Sequence, residues 1–209
     1  MQPTRTLTAH CTLSHPADGQ PLLTINNEHA KAEISLFGAH VLRYQRHGEP
    51  ASLWLSDKAV LDGSKPIRGG IPLCWPWFGP APARVGSGKP AHGFARTSLW
   101  TLDGVSDHGD GTLVHLSLRD TDASRALWPH AFELELDVLV GKELSLVLTT
   151  RNTGKTPLTY NAALHTYLQI SAPEAVSVTG LGEPYADKLT GQDGQQQGAL
   201  TLSAAMDRI

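Results

Sequence analysis

Glu133-Leu134-Glu135-Leu136-Asp137-Val138-Leu139-Val140 is followed by Gly141-Lys142 and then by Glu143-Leu144-Ser145-Leu146-Val147-Leu148-Thr149-Thr150. Apolar side chains recur at every second position in both runs. That period puts them on one face of a pleated strand and the charged residues on the other. Two such runs around a Gly-X pair predict an antiparallel hairpin, with Gly141 supplying the positive φ of a type II′ turn. The same reading extends outward to strands at Leu22–Asn26, Ala32–Leu36, His40–Arg46, Leu99–Asp107, Thr112–Arg119, Leu158–His165 and Val176–Thr179. Asn, Asp and Gly clusters punctuate them. No window carries a long helical period; one helical turn is expected at Asp122–Leu127. Many short strands with turns between them predict an all-β sandwich or barrel.

The chain has 209 residues, enough for one sizeable domain that needs no disulfide or metal to hold a core. It carries 20 Gly and 14 Pro, consistent with many turns and little helix. The net charge of −3 argues against a general nucleic-acid or membrane-surface binder. Its two cysteines, Cys11 and Cys74, make neither a disulfide framework nor a zinc pattern. No apolar leader follows Met1, so the cytoplasm is the expected compartment.

Several motifs fail on inspection. Gly154-Lys155-Thr156 imitates the end of a phosphate-binding loop, but Thr149 stands where its first glycine should be and Pro157 follows. Gly86-Ser87-Gly88 has Ala91 at the third position of a dinucleotide fingerprint. His108 and His115 read as two exposed histidines rather than metal ligands.

Three blocks concentrate chemistry. Residues 64–93 resist a strand reading, and a loop that long inside a domain is usually functional. It contains Ile67-Arg68-Gly69-Gly70-Ile71-Pro72-Leu73-Cys74-Trp75-Pro76-Trp77-Phe78-Gly79-Pro80. Aromatic faces there suit the C–H faces of a sugar, and Arg68 offers a fork for an oxyanion. The competing reading makes Trp75, Trp77 and Phe78 a plug at the end of the sandwich. The second block, Ala91-His92-Gly93-Phe94-Ala95-Arg96, sets a histidine and an arginine four apart. The third, Asn161-Ala162-Ala163-Leu164-His165-Thr166-Tyr167-Leu168, puts His165 among small and apolar residues. A partly buried imidazole there is either a hydrogen-bonded core residue or a general acid.

In this order the blocks resemble the glucose-6-phosphate 1-epimerase (hexose-6-phosphate mutarotase) branch of the aldose 1-epimerase family. Weaker support comes from Gly180-Leu181-Gly182 with Tyr185, Asp187-Lys188, and Met206-Asp207-Arg208-Ile209. The resemblance implies a large antiparallel β-sandwich of the galactose mutarotase-like type, a single domain over residues 1–209. It implies interconversion of the α and β anomers of a hexose 6-phosphate. His165 would be the general acid, Arg68 and Arg96 would hold the phosphate and neighbouring oxygens, and His92 and Asp207 would contact sugar hydroxyls. No metal and no cofactor is implied. The partner is a small-molecule sugar phosphate, not a nucleic acid or a membrane, and a monomer is expected. Family members place a catalytic glutamate near their C-terminus, whereas no Glu follows Glu183 here. The last strands and the general base are therefore expected to be missing, with unpaired sheet edges and exposed apolar surface left behind. Glu183, in a Gly-Glu-Pro context, reads as a loop residue rather than a substitute base. Two other readings stay open: an aldose 1-epimerase for free hexoses, and a non-catalytic carbohydrate-binding sandwich.

Overall fold

The structure is a computed structural model that describes residues 3–182, 184–202 and 205–208. It divides into two compact units, residues 1–168 and 169–209. The first unit holds two antiparallel sheets. One runs in the order β1 (Arg5–Thr6), β2 (Cys11–Ser14), β3 (Leu22–Asn26), β4 (Ala30–Ser35), β5 (His40–Arg46). After the short β6 (Leu73–Cys74), the chain builds β7 (Thr101–His108), β8 (Gly111–Arg119), helix α1 (Asp122–Leu127), β9 (Phe132–Gly141) and β10 (Leu144–Asn152). Those four long strands form the second sheet, with β7 and β10 at its edges. A last short strand, β11 (Ala163–Leu164), pairs with β6.

Alternation decides which faces meet. Phe132, Leu134, Leu136, Val138 and Val140 of β9 point inward with Val114 and Leu116 of β8, against Leu23, Ile25, Ala32, Ile34 and Val41 of the other sheet. The residues between them point out and carry charge. Arg119 meets Glu133 at 2.7 Å and His115 meets Asp137 at 2.6 Å. Such exposed pairs contribute little to stability; the buried apolar face carries it. Two buried side chains tie the sheets together. Tyr44 donates its hydroxyl to the Gly141 carbonyl at 3.0 Å, and Asn27 donates to the Val140 carbonyl at 2.7 Å.

The hairpin forms between the expected runs, but with Leu144 opposite Val140 rather than the Glu143–Val140 pairing that a two-residue Gly141-Lys142 turn sets, and its turn differs from the expectation. Gly141 does not have a positive φ. Glycine is required there because a Cβ would lie 2.1 Å from the Asp110 carbonyl oxygen, where the tip of the β7–β8 hairpin crosses. Strand β10 has no partner on its outer edge among the described residues. A cleft of about 340 Å³ beside it is lined by Leu144, Leu146, Leu164 and Leu168 among others.

The second unit is smaller and looser. Here β12 (Ser177–Val178) pairs with β15 (Leu200–Thr201), and β13 (Pro184–Asp187) with β14 (Gln192–Gln195). The Gln-rich stretch thus contributes a strand. Arg208 stacks over the Tyr185 ring at 4.2 Å and reaches Gln196 at 3.2 Å. No helix among the described residues is long and apolar enough to cross a membrane.

Truncating a fully buried side chain of β9 leaves a cavity that β-strands fill poorly. Leu136→Ala should cost ~2–5 kcal/mol in urea unfolding. Val147→Ala, on the 55% exposed outer face of β10, should stay within ~0.5 kcal/mol of the parent.

Candidate active site

The long connection from β5 to β7 carries most of the chemistry, and its geometry begins with a buried ring. Trp75 is fully buried against Phe94, Trp128 and Phe132, at centroid separations of 5.7, 5.1 and 4.6 Å. Trp77 is 1% exposed and donates its indole N–H to the Pro90 carbonyl. Both tryptophans are thus core residues, and the plug reading holds for them rather than the sugar-facing one. Phe78, next along, is half-buried and turns outward.

The segment after β11 runs antiparallel to residues 69–74. Its backbone is locked there by Tyr167 N–H to the Gly70 carbonyl at 2.9 Å and His165 N–H to the Pro72 carbonyl at 3.1 Å. Trp54 joins from the other side, its N–H donating to the Tyr167 carbonyl and its carbonyl accepting from Gly70. His165 and Tyr167 are two apart on an extended chain, so their rings share a face. Their centroids lie 4.9 Å apart. The row continues in both directions, with Tyr167 to Trp54 at 5.8 Å, His165 to Phe78 at 5.8 Å, and Phe78 to His92 at 4.9 Å. All five rings, Trp54, Tyr167, His165, Phe78 and His92, are half-buried. Together they make a row of aromatic faces with two imidazoles in it.

His92 is held in an unusual backbone conformation, φ 63°, which side chains rarely adopt outside strained or functional positions. Two bonds to Gly79 hold it: its N–H donates to the Gly79 carbonyl at 2.7 Å, and its Nδ1 accepts from the Gly79 N–H at 3.2 Å. An Nδ1 that accepts leaves the proton of the neutral ring on Nε2, so His92 presents a donor. Gly93 then presses against the tryptophan strand, where a Cβ would sit 2.0 Å from the Trp75 carbonyl oxygen. Arg96 follows on the short turn Ala95–Thr97 and donates from Nη2 to the Ala91 carbonyl at 3.0 Å. Its Nε is buried with no hydrogen-bond partner among the described residues. The same is true of Nδ1 of His165. Arg68 is exposed, and no ion pair or side-chain hydrogen bond engages it among the described residues.

The structure brings His165, His92 and Phe78 into one row, with Arg96 bonded to the residue preceding His92. Arg68 begins the Gly69–Gly70 turn on which the His165 segment is laid. Asp207 belongs to the second unit. It is exposed, its carbonyl accepts from Lys188 N–H at 2.8 Å, and its carboxylate lies 3.9 Å from the Lys188 ammonium. Glu183 lies outside the described residues. Among the described residues no group of three or more His, Cys, Asp and Glu could hold a metal.

Sequence reasoning did not find Trp54, Tyr167 as a ring beside His165, or His40. The i, i+2 spacing of His165 and Tyr167 carried a signal; Trp54 carried none. His40 is fully buried, with Nε2 2.7 Å from the Gly69 carbonyl. Burial, together with the positive charge of Arg96, pushes its pKa down to about 4 against the stabilising Gly69 bond.

The aldose 1-epimerase family matches residues 21–198 of the chain. A protein of Escherichia coli K12, provisionally named a glucose-6-phosphate 1-epimerase, is 38% identical over 172 residues. These make up 82% of this chain and 56% of that protein. A Salmonella typhimurium protein with the same provisional name is 35% identical over 88% of this chain and 59% of its own. The chain thus spans little more than half the length of these curated relatives. A crystal structure of a provisionally assigned mutarotase from Salmonella typhimurium superposes with a TM-score of 0.90 at 32% identity. It covers 99% of this chain and 68% of that one. The antiparallel all-β fold implied by the sequence is the one present.

Gly93→Ala should lower stability by ~2 kcal/mol or more, because the added carbon collides with a backbone oxygen at a positive φ. His40 gives a pH signature. The folded state prefers its neutral form, while the unfolded chain takes up a proton near pH 6.5. Its contribution to stability is therefore complete above about pH 6.5 and is lost as pH falls toward about 4. Between those values the melting temperature of the parent should fall more steeply than that of His40→Gln.

Proposed function

The chain belongs to the aldose 1-epimerase family, and from that premise we propose that it takes a hexose 6-phosphate, glucose 6-phosphate first among them, and interconverts its α and β anomers. The observation that supports this most is the row His92–Phe78–His165. It sets two imidazoles on either side of an aromatic face, with the Arg96 turn bonded to one end. A pyranose lays C–H bonds on such a face while its hydroxyls meet the nitrogen donors. A guanidinium nearby meets the phosphate by charge-assisted bonds.

Mutarotation needs one proton given and one taken. His165 gives a proton to the ring oxygen as the C1–O5 bond breaks. The C1 hydroxyl gives its proton to a general base as the C1=O1 double bond forms. Rotation about C1–C2 turns the other face of the aldehyde toward O5, and closure returns both protons. His92, with its proton on Nε2, donates to a sugar hydroxyl. Arg68 and Arg96 hold the 6-phosphate. The resemblance gives the C1 proton to a glutamate that family members carry near their C-terminus. The alternative reading is a sugar-phosphate binder without turnover.

Anomer exchange of glucose 6-phosphate, followed by NMR with the spontaneous rate subtracted, separates the two. Catalysis predicts exchange above background that drops by ~10²-fold or more in His165→Ala. Exchange that is unaffected by that change contradicts the role of His165, and saturable binding without exchange supports the binder. Arg96→Ala should weaken glucose 6-phosphate by ~10-fold or more and glucose by less than ~2-fold. Equal losses for the two sugars contradict the phosphate role and favour an epimerase for free hexoses.

A further inference from the structure

Between the two arginine-bearing turns lies a third turn, Leu36 to His40, that touches both. On one side it rests on the Arg96 segment. Gly38 N–H donates to the Ser98 carbonyl at 2.7 Å, Trp100 N–H donates to the Leu36 carbonyl at 2.9 Å, and Phe37 bridges to Leu99. The approach is as close as backbone allows, since a Cβ on Gly38 would lie 2.6 Å from the Arg96 carbonyl oxygen. On the other side, Ile71 N–H donates to the Val41 carbonyl at 2.9 Å. The His40 ring reaches the Gly69 carbonyl at 2.7 Å. A carbonyl only accepts, so Nε2 of His40 carries the proton. Gly69 and Gly70 both have positive φ, at 109° and 62°, and a Cβ on Gly70 would meet the Val41 carbonyl at 2.3 Å and the His40 ring at 2.9 Å.

We propose that His40 is a positioning residue of this pocket, whose buried imidazole, clamped on the Gly69 carbonyl, fixes the Arg68 turn relative to the Arg96 turn. The inference rests on the sugar-phosphate reading for its purpose. Its geometry does not depend on that reading. An aliphatic residue would fill this core position without a buried Nδ1, but it would leave the Gly69 carbonyl without this donor. His40 instead keeps Nδ1 buried with no hydrogen-bond partner among the described residues, a standing cost in an apolar surrounding. What the imidazole provides is a donor for a carbonyl at a turn where backbone donors point elsewhere. Gly70 N–H goes to Trp54 and Ile71 N–H to Val41. The donor is also uncharged at neutral pH, so it holds the arginine turns together without repelling their guanidinium groups. The hold passes on to the acid, because the Gly70 carbonyl that accepts from Tyr167 N–H follows directly on the clamped peptide.

His40→Leu removes the donor and keeps the bulk; His40→Gln keeps a terminal N–H. The readouts are amide hydrogen exchange and the ratio of affinities for glucose 6-phosphate and glucose. In the leucine variant the Gly70 and Tyr167 amides should exchange at least ~10-fold faster, while β9 and β10 amides keep parental protection. Glucose 6-phosphate affinity should fall by ~10-fold, and glucose affinity by less than ~2-fold. The glutamine variant should restore most of both. Parental exchange at Gly70 and Tyr167 in a folded leucine variant overturns the proposal. So does an equal loss for the two sugars, which would mark a merely structural role. If the leucine variant does not fold, the glutamine variant decides: a parental affinity ratio supports the clamp and a lowered one overturns it. If the parent itself shows no preference for the phosphorylated sugar, the sugar-phosphate reading fails, and the exchange arm alone still decides for His40.

Discussion

The site hangs on one buried ring. Trp75 sits at the centre of an aromatic cluster that includes Phe132 of β9, the strand whose inward face builds the sandwich core. Its carbonyl is gripped at the same time by the N–H groups of Phe94 and Ala95, at 3.0 and 3.2 Å. The ring thus fixes the connection to the sheet, and the carbonyl fixes the His92–Arg96 turn to the connection. Phe78 comes three residues later, too close along the chain to move independently. His92 comes one residue before the glycine that lies on the Trp75 carbonyl. A few residues before Trp75, the Pro72 and Gly70 carbonyls receive the His165 and Tyr167 segment. Apolar burial of a single side chain therefore sets the relative positions of groups drawn from three distant parts of the sequence.

The connection is amphipathic in a sense that neither a strand nor a helix period describes. Trp75 and Trp77 go inward, where burial of such large side chains outweighs the cost of the Trp75 indole nitrogen, which has no hydrogen-bond partner among the described residues. Phe78 and His92 stand at the boundary, half in water. At that boundary a ring still offers a face to a ligand. His40, deeper, is kept neutral by its burial and can serve as a fixed donor only.

Much of this was legible in the sequence wherever period-two alternation was long. Strands β3 and β5 and helix α1 fall at the expected residues, and the β9–β10 hairpin joins the expected runs. Two- to four-residue strands such as β1, β2 and β14 carry too few alternations to register. Gly141 was expected at this hairpin's end for the wrong reason: what it avoids is the carbonyl of another hairpin, a tertiary fact absent from the local sequence. The aromatic residues of 75–78 could be recognised as important but not sorted, since Trp75 and Phe78 differ only in which way the chain turns them. His165 and His92 could be named from the motifs, while their common face with Tyr167, Phe78 and Trp54 emerged only from the fold.

The central claim is that the ring row and the arginine turns receive one sugar phosphate. The most direct measurement is a titration of glucose 6-phosphate into isotopically labelled protein, reading the imidazole resonances of His92 and His165. The expected result is that both shift together and saturate at one ligand concentration, while inorganic phosphate leaves His165 unmoved. Imidazoles that do not respond to glucose 6-phosphate in a folded protein would contradict it.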